Sequence, residues 1–479
     1  MKKVYFTLAL VLSLMVSCKK EFIELAPEST VSVDVLYKTD KDFQDAVIGC
    51  YSVLQTQYQS YWVFGDLRGD DSRQEVVANL SLISVDVFTI NNDDALLRNA
   101  WRNYYQAISR ANTVLSKIET ADVAIVKNKD RHIGEAKFLR ALAYFDLVRI
   151  FGDVPLIITP INVEEAYKTG RQKVDQVYDE LIIKDLMDAE AKLPASYTGA
   201  DVGRATKGAA KALLGKVYLT RKDFVKAEAK LKEVTTMGYA LLKNYKDLFD
   251  YSKNEHHTEY IFDIEYEEGI GEGSSLTNNF TPQYTPIADV YGIKGTLGDN
   301  NAPPPSLYNL FDPKDPRRDI TVLLGGVTDK NGNFVKLPAQ TQQSFTQKYM
   351  TSVPSGGDSK ANWKVIRYAD VLLMYAEVLN ENGKTSEALG YLNQIRVRAT
   401  MPEYANLMQS DLREKIYLER RLELSSEGQR WFDLVRTGRA YSVMQSYGMK
   451  PYMTIFPIPL NQLQIINDRT VFPQNPGYE

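Results

Sequence analysis

Two regions of helical periodicity in this chain flank a stretch that no long helix can occupy, and this arrangement constrains the fold most. Residues 266–360 hold eleven of the 28 glycines and nine of the 19 prolines, including Pro303-Pro304-Pro305. Proline removes a backbone donor, and glycine costs about 1 kcal/mol against alanine in a helix interior, so the helical period fails there. The segment reads as a long irregular insertion with a few short strands. Long segments of this kind inside a compact protein are usually functional.

On the N-terminal side of the insertion, Leu214-Gly215-x-x-Tyr218 is followed by Phe224, Ala227, Leu231 and Val234, two amphipathic helices that approach at Gly215. On the C-terminal side, Val371–Leu379, a break at Asn382-Gly383 and Ser386–Arg398 repeat the pattern. Both resemble tetratricopeptide helix pairs, which stack into a superhelix with a concave side. Four more helices read from period and stop signals. They run to about Gln57 from a Thr39 cap, over 94–118, over 134–151 ended by Gly152 and Pro155, and over 174–193 ended by Pro194. The expected fold is mainly α, an α-α superhelix with a loop-rich insertion carrying minor β structure.

Near the C-terminus, Leu424, Gly428, Trp431 and Val435 follow one another at helical steps. Gly428 inside such a helix implies a close backbone approach, and Gly438 supplies the stop. Glu427 with Arg430 and Asp433 with Arg436 stand three apart, the spacing of ion pairs on one helix. The stretch reads as a buried, salt-bridged scaffold helix.

The run Glu427-Gly-x-Arg-Trp-Phe-Asp-Leu-Val-Arg436 resembles the C-terminal signature of the SusD/RagB family, outer-membrane nutrient-binding lipoproteins of Bacteroidetes. Glu135–Arg149 continuing through Phe-Gly-Asp-Val-Pro-Leu156, Ile455–Leu460 and Phe472–Tyr478 are similar to the same family. The resemblance implies a surface protein seated over a SusC-like TonB-dependent transporter, capturing oligosaccharides and passing them into the barrel. Peptide capture, as in the RagB-like branch, is the alternative within the fold; a surface hydrolase is the rival outside it. The matching motifs belong to the scaffold, so no ligand residue carries over by position.

Lys2 and Lys3, the apolar run Val4–Val16, then Ser17 and Cys18 make an export signal ending at a lipidation cysteine. The division expected is 1–17 signal peptide, 18–30 lipidated tether, and 31–479 a single unit. That unit comprises an N-terminal helical half (31–265), the insertion (266–360) and a C-terminal helical half (361–479). The expected location is the outer membrane, lipid-anchored and facing the cell exterior. Once Cys18 is acylated, Cys50 is the remaining thiol; it lies on an apolar helical stripe and reads as a small buried hydrophobe.

A net charge of −4 leaves no basic footprint for nucleic acid. His256-His257 lack further ligands at metal-site spacing, and the spacing of Asp312, Asp315 and Asp319 suits turns with arginine pairing better than an EF-hand. Glu265, Glu267 and Glu268 read as a solvated charge run, and no nucleophile elbow, phosphate loop or dinucleotide fingerprint is present. The chain reads as a non-enzymatic binder without cofactor or metal. Trp62 is the one tryptophan outside the helical signatures, and aromatic faces suit sugar rings. Tyr58, Tyr61 and Trp62 are therefore the expected ligand platform in a loop, with Asp70, Asp71 and Arg73 at its rim. Tyr284 and Tyr291 are expected to face it from the insertion.

Overall fold

The computed structural model describes residues 37–74, 79–253 and 255–478; the expected signal peptide, the tether to Thr30 and Cys18 lie outside them. Helix α1 (Asp40–Tyr58) starts at a capping box, in which Thr39 Oγ1 accepts from Asp42 N and the Asp42 carboxylate accepts from Thr39 N. Cys50 is buried on its inner face, and burial pushes the thiol up to about 12, which keeps it inert. Then come α2 (Ala95–Glu119), α3 (Lys129–Phe151), α4 (Ile183–Lys192), α5 (Lys207–Thr220) and α6 (Phe224–Thr235). After the insertion follow α7 (Tyr368–Glu381), α8 (Thr385–Arg398), α9 (Gln409–Leu424) and α10 (Arg430–Arg436). Each of α1 to α7 packs on the next in sequence, and α7 packs on both α8 and α9, giving the stacked helix pairs of a superhelix. A Cβ on Gly215 would lie 2.6 Å from Leu231 Cδ2, so glycine is what lets α5 and α6 meet. Among the described residues no helix is long and apolar enough to cross a membrane.

Helix α3 is buried on nearly every face, which a helix tolerates only when each buried charge is answered. Arg140 donates to both carboxylate oxygens of Asp185 at 2.7 and 2.9 Å. Asp146 accepts from Tyr58 and Tyr104 hydroxyls at 2.8 and 3.1 Å and pairs with Arg149.

Among the described residues, six short strands accompany the helices: β1 (Tyr260–Ile264), β2 (Leu323–Leu324), β3 (Gly326–Thr328), β4 (Phe334–Lys336), β5 (Ser344–Phe345) and β6 (Trp363–Arg367). β1 pairs antiparallel with β6, with Tyr260 opposite Arg367 and Ile264 opposite Trp363, so the two ends of the insertion are clamped side by side. Inside it, β2 pairs with β5 and β3 with β4. The insertion also holds short helices at Leu276–Phe280, Thr285–Tyr291, Pro305–Tyr308 and Arg318–Thr321. These depart from the sequence expectation because a helix of one or two turns is too short to print a period.

The insertion is fastened to α9 by buried charge. Arg317, fully buried, pairs with Asp315 at 2.7 Å, Glu419 at 2.7 Å and Glu423 at 3.0 Å. Lys348 reaches Glu427 at 2.7 Å, and Arg367 reaches Glu259, Glu423 and Glu427 at 2.8, 2.6 and 2.7 Å. The expected pairing of the Asp315 turn with arginine is therefore present.

The continuous helix expected through Leu424–Val435 is broken between α9 and α10. Ser426 and Gly428 adopt left-handed backbone (φ +62° and +71°), and the reason is a crossing chain. A Cβ on Gly65 would lie 2.6 Å from Gly428 Cα, and Gly428 N donates to the Asp66 carboxylate at 2.8 Å. The close approach read from Gly428 is real, but it needs a break rather than a helix interior. Asp433 pairs with Arg436 at 2.8 Å as expected; Glu427 turns instead to Lys348 and Arg367, leaving Arg430 to Asp70. Gly438, at φ +74°, closes α10 as its sequence position implied.

Candidate functional site

The aromatic segment expected as an exposed loop is not one. Tyr58 ends α1, and residues Val63–Leu67 form a π-helical turn wedged between the helical half and the insertion. Tyr58, Tyr61 and Trp62 are only 1, 4 and 3 % exposed. Tyr58 stacks on Tyr61 at 4.6 Å, Tyr61 meets Trp363 edge-on, and Trp62 is closed by the edge of Phe280 at 5.4 Å. Trp62 Nε1 donates to Gln59 O at 3.2 Å, so the indole is satisfied inside the protein. No ring face remains for a sugar.

The charged rim is likewise engaged. Asp70 accepts from Arg430 at 2.6 Å and Arg421 at 2.8 Å, and buried Asp71 pairs with Arg421 at 2.6 Å. Arg73 lies over Tyr447 at 4.2 Å and 3.4 Å from Asp86. Tyr284, half-buried, stands at the start of the Thr285–Tyr291 helix, and Tyr291 donates to Gln347 at 3.1 Å with its ring against Phe345. Neither makes a ring contact with Trp62. Of these eight residues, Trp62 meets the insertion at Phe280 and Arg73 N donates to Ala302 O at 2.9 Å, whereas Tyr58 and Tyr61 pack within the scaffold, Asp70 and Asp71 pair with arginines of α9 and α10, and Tyr284 and Tyr291 belong to the insertion itself. Trp62→Ala is accordingly expected to lower stability by about 3 kcal/mol, measured by urea unfolding, rather than to remove a ligand contact.

A different place has the character of a binding site. Where α1, the 200–204 segment and the β1 edge meet, a cavity of about 360 Å³ opens beneath the start of the insertion. That volume is in the range of small-ligand pockets. Its apolar wall comes from Ile48, Val202 and Ile264, and its polar wall from Gln55, Asn362, His256 and a row of carboxylates. The polar groups are pre-positioned by their partners. Gln55 Nε2 donates to Glu265 O at 2.8 Å, and Asn362 Oδ1 accepts from Tyr266 N at 2.7 Å while its amide nitrogen donates to Glu255. Glu265 accepts from Tyr260 at 3.0 Å and meets His256 Nε2 at 2.7 Å.

The electrostatics are unusual. Burial, partly offset by Lys364, pushes Glu255 up to about 7, and burial pushes Asp263 up to about 6. The hydrogen bond that His256 donates to the Glu265 carboxylate raises His256, whereas burial and Lys364 lower its neighbour His257 to about 4. Carboxylates that titrate near neutrality in a cleft mark a candidate site. Among the described residues no cluster of His, Cys, Asp or Glu is arranged to hold a metal ion. The sequence reading of Glu265 and Glu267 as a solvated run missed this cavity. The available signal was the density of acidic side chains from Glu255 to Glu272 around a strand.

Residues 252–478 match the model of the SusD family, and residues 21–219 match a family described as starch-binding, associating with the outer membrane. The SusD-like protein P2 of Formosa agariphila is 28 % identical over 534 aligned positions, covering 100 % of both chains. Among solved structures, a laminarin-binding SusD-like protein is 31 % identical with a TM-score of 0.80, covering 92 % of this chain and 100 % of its own. The surface glycan-binding protein A of Bacteroides fluxus shares the fold, with a TM-score of 0.78 at 23 % identity and 92 % coverage of this chain.

Proposed function

The chain belongs to the SusD family, a family of glycan-binding proteins, and from that membership we propose that it captures oligosaccharides at the cell surface for a SusC-like TonB-dependent transporter. The observation that carries this reading is the full-length likeness, in sequence and in fold, to a laminarin-binding relative. The stacked helix pairs supply a rigid scaffold with a broad surface for a protein partner. The cavity beside β1 supplies the ligand end: apolar wall, amide donors and carboxylate acceptors are the groups that sugars present their CH and OH surfaces to. No catalytic step is assigned. The reading is capture without turnover.

Its test is calorimetry of the full-length protein in detergent against a panel of neutral oligosaccharides, β-glucan fragments included. Binding in the micromolar to millimolar range, about −8 to −4 kcal/mol, is expected without product release. Failure of every glycan, with capture of short peptides instead, would overturn it in favour of the peptide-binding branch; catalytic release of product would overturn it in favour of a hydrolase.

Attachment through Cys18 belongs to the same proposal and rests on the Ser17-Cys18 junction behind the apolar run. Cys18→Ala is expected to move the protein from the outer-membrane fraction to the soluble one, since multiple acyl chains anchor firmly where none does not. Full retention of that variant in washed membranes would remove the lipid anchor from the account.

A further inference from the structure

We infer that the cavity beside β1 selects an oligosaccharide bearing a protonated amine, an amino sugar, over its neutral counterparts. This rests on the glycan-capture reading above and goes beyond it by naming the ligand class. The argument is a balance of charge around an open-mouthed cavity.

The cations near the cavity are already engaged. Arg204 pairs with Glu135 at 3.1 Å and Asp201 at 2.7 Å, His256 with Glu265 at 2.7 Å, and Lys364, behind the wall, with Asp263 at 3.2 Å. Lys360 stands 3.7 Å from Glu268. That leaves Glu255 inside the cavity and Glu267 and Glu272 at its exposed rim, none with a basic side chain within 4 Å among the described residues. α1 contributes only Ile48, Tyr51 and Gln55 to the lining, so nothing on that side offsets the negative field. Glu267 and Glu272 are held together by a backbone bridge, Glu267 N to Glu272 O at 3.2 Å, and Glu255 is held by the fully buried amide of Asn362. The Glu255 carboxylate is therefore fixed in place and only partly offset by Lys364 and His256, and the rim carboxylates of Glu267 and Glu272 have no basic partner within 4 Å among the described residues.

A bare divalent cation does not answer this arrangement, because the oxygens do not converge on one point as a metal requires. An ammonium on a larger ligand does. It carries three donors, needs no coordination sphere, and leaves the sugar body to cover Ile48, Val202 and Ile264. Its charge also relieves the cost that burial places on ionised Glu255.

The test is calorimetry on the full-length protein with a glucosamine trimer, an N-acetylglucosamine trimer, a glucose trimer and trilysine. At pH 7.5 the glucosamine trimer is expected to bind at least tenfold more tightly than either neutral trimer. Glu255→Gln should remove most of that advantage. The double variant Glu267→Gln with Glu272→Gln, on exposed side chains that the fold does not need, should reduce it at least threefold. Equal binding of charged and neutral trimers would overturn the inference and leave glycan capture standing. An amine preference unchanged in all these variants would overturn it as attraction to the acidic chain at large, and trilysine matching the glucosamine trimer would overturn the amino-sugar class. Carboxylate-dependent binding of the glucosamine trimer alone, with every neutral glycan inert, would uphold it while excluding neutral glycans as ligands.

Discussion

Arg367→Ala is expected to lower the unfolding free energy by about 3–5 kcal/mol, enough to leave a protein of ordinary stability close to its threshold. The guanidinium is 2 % exposed and stands among Glu259, Glu423 and Glu427, with a further hydrogen bond to Glu423 O at 2.8 Å. Burial works to lower its pKa, but Glu427, Glu423 and Glu259 hold it well above the ordinary value. Truncation leaves three buried carboxylates sharing the remaining cations, and an uncompensated buried charge costs more than a pair contributes. The sign of the accompanying pH effect follows from Glu423 and Glu427. Burial tends to raise both, yet Arg398, Arg367 and Arg317 hold Glu423 well below 4.5, and Arg367 and Lys348 hold Glu427 below it. Their contribution is thus full above about pH 4.5 and lost as the pH falls through the depressed range. Urea unfolding at pH 7 and pH 4 checks both statements. An Arg367→Ala variant within 1 kcal/mol of the parent would show that the network relaxes around the gap.

Trp431→Ala is expected to cost about 3–5 kcal/mol by a separate mechanism. The indole has no exposed surface; Phe88 meets it at 5.8 Å, and the Arg68 guanidinium lies 5.6 Å from its centroid. Arg68 is itself 1 % exposed and donates to Met453 O and the Tyr478 hydroxyl, each at 3.2 Å, with the rings of Phe88 and Phe456 4.2 Å from its carbon. Loss of the indole opens a cavity and strips one aromatic wall from a buried cation, two costs at one site. The urea midpoint should fall with an unchanged slope, since the surface exposed on unfolding is nearly the same. Binding by the folded fraction should persist, because Trp431 lines no part of the cavity beside β1. An unchanged midpoint would mean that the core repacks around the missing ring.

Much of the scaffold was legible in the sequence, for a local reason. Caps, glycine stops and apolar periods are read over a few residues, and Thr39, Gly152, Pro194 and Gly438 end or begin elements where their chemistry requires. Cys50, Trp101 and Trp431 are buried as their helical positions implied. The extent of the insertion was legible too, from glycine and proline alone.

What the tertiary structure decided depends on partners distant in sequence. Trp62 has the local look of an exposed loop aromatic, and only Phe280, more than 200 positions away, turns it into core. Asp70 and Asp71 look like free rim carboxylates until Arg421 and Arg430 arrive from the far end of the chain. Gly428 signalled a close approach, but whether the helix continued or broke was settled by Gly65. The acidic run at Glu265 and Glu267 is neutral information in one dimension. It becomes a cavity wall only when α1 and the 200–204 segment close over β1, and burial, which the linear chain does not encode locally, then lifts Glu255 toward neutrality. Local sequence determines which elements form; long-range packing determines which side chains face water, and a binding site is made of that second choice.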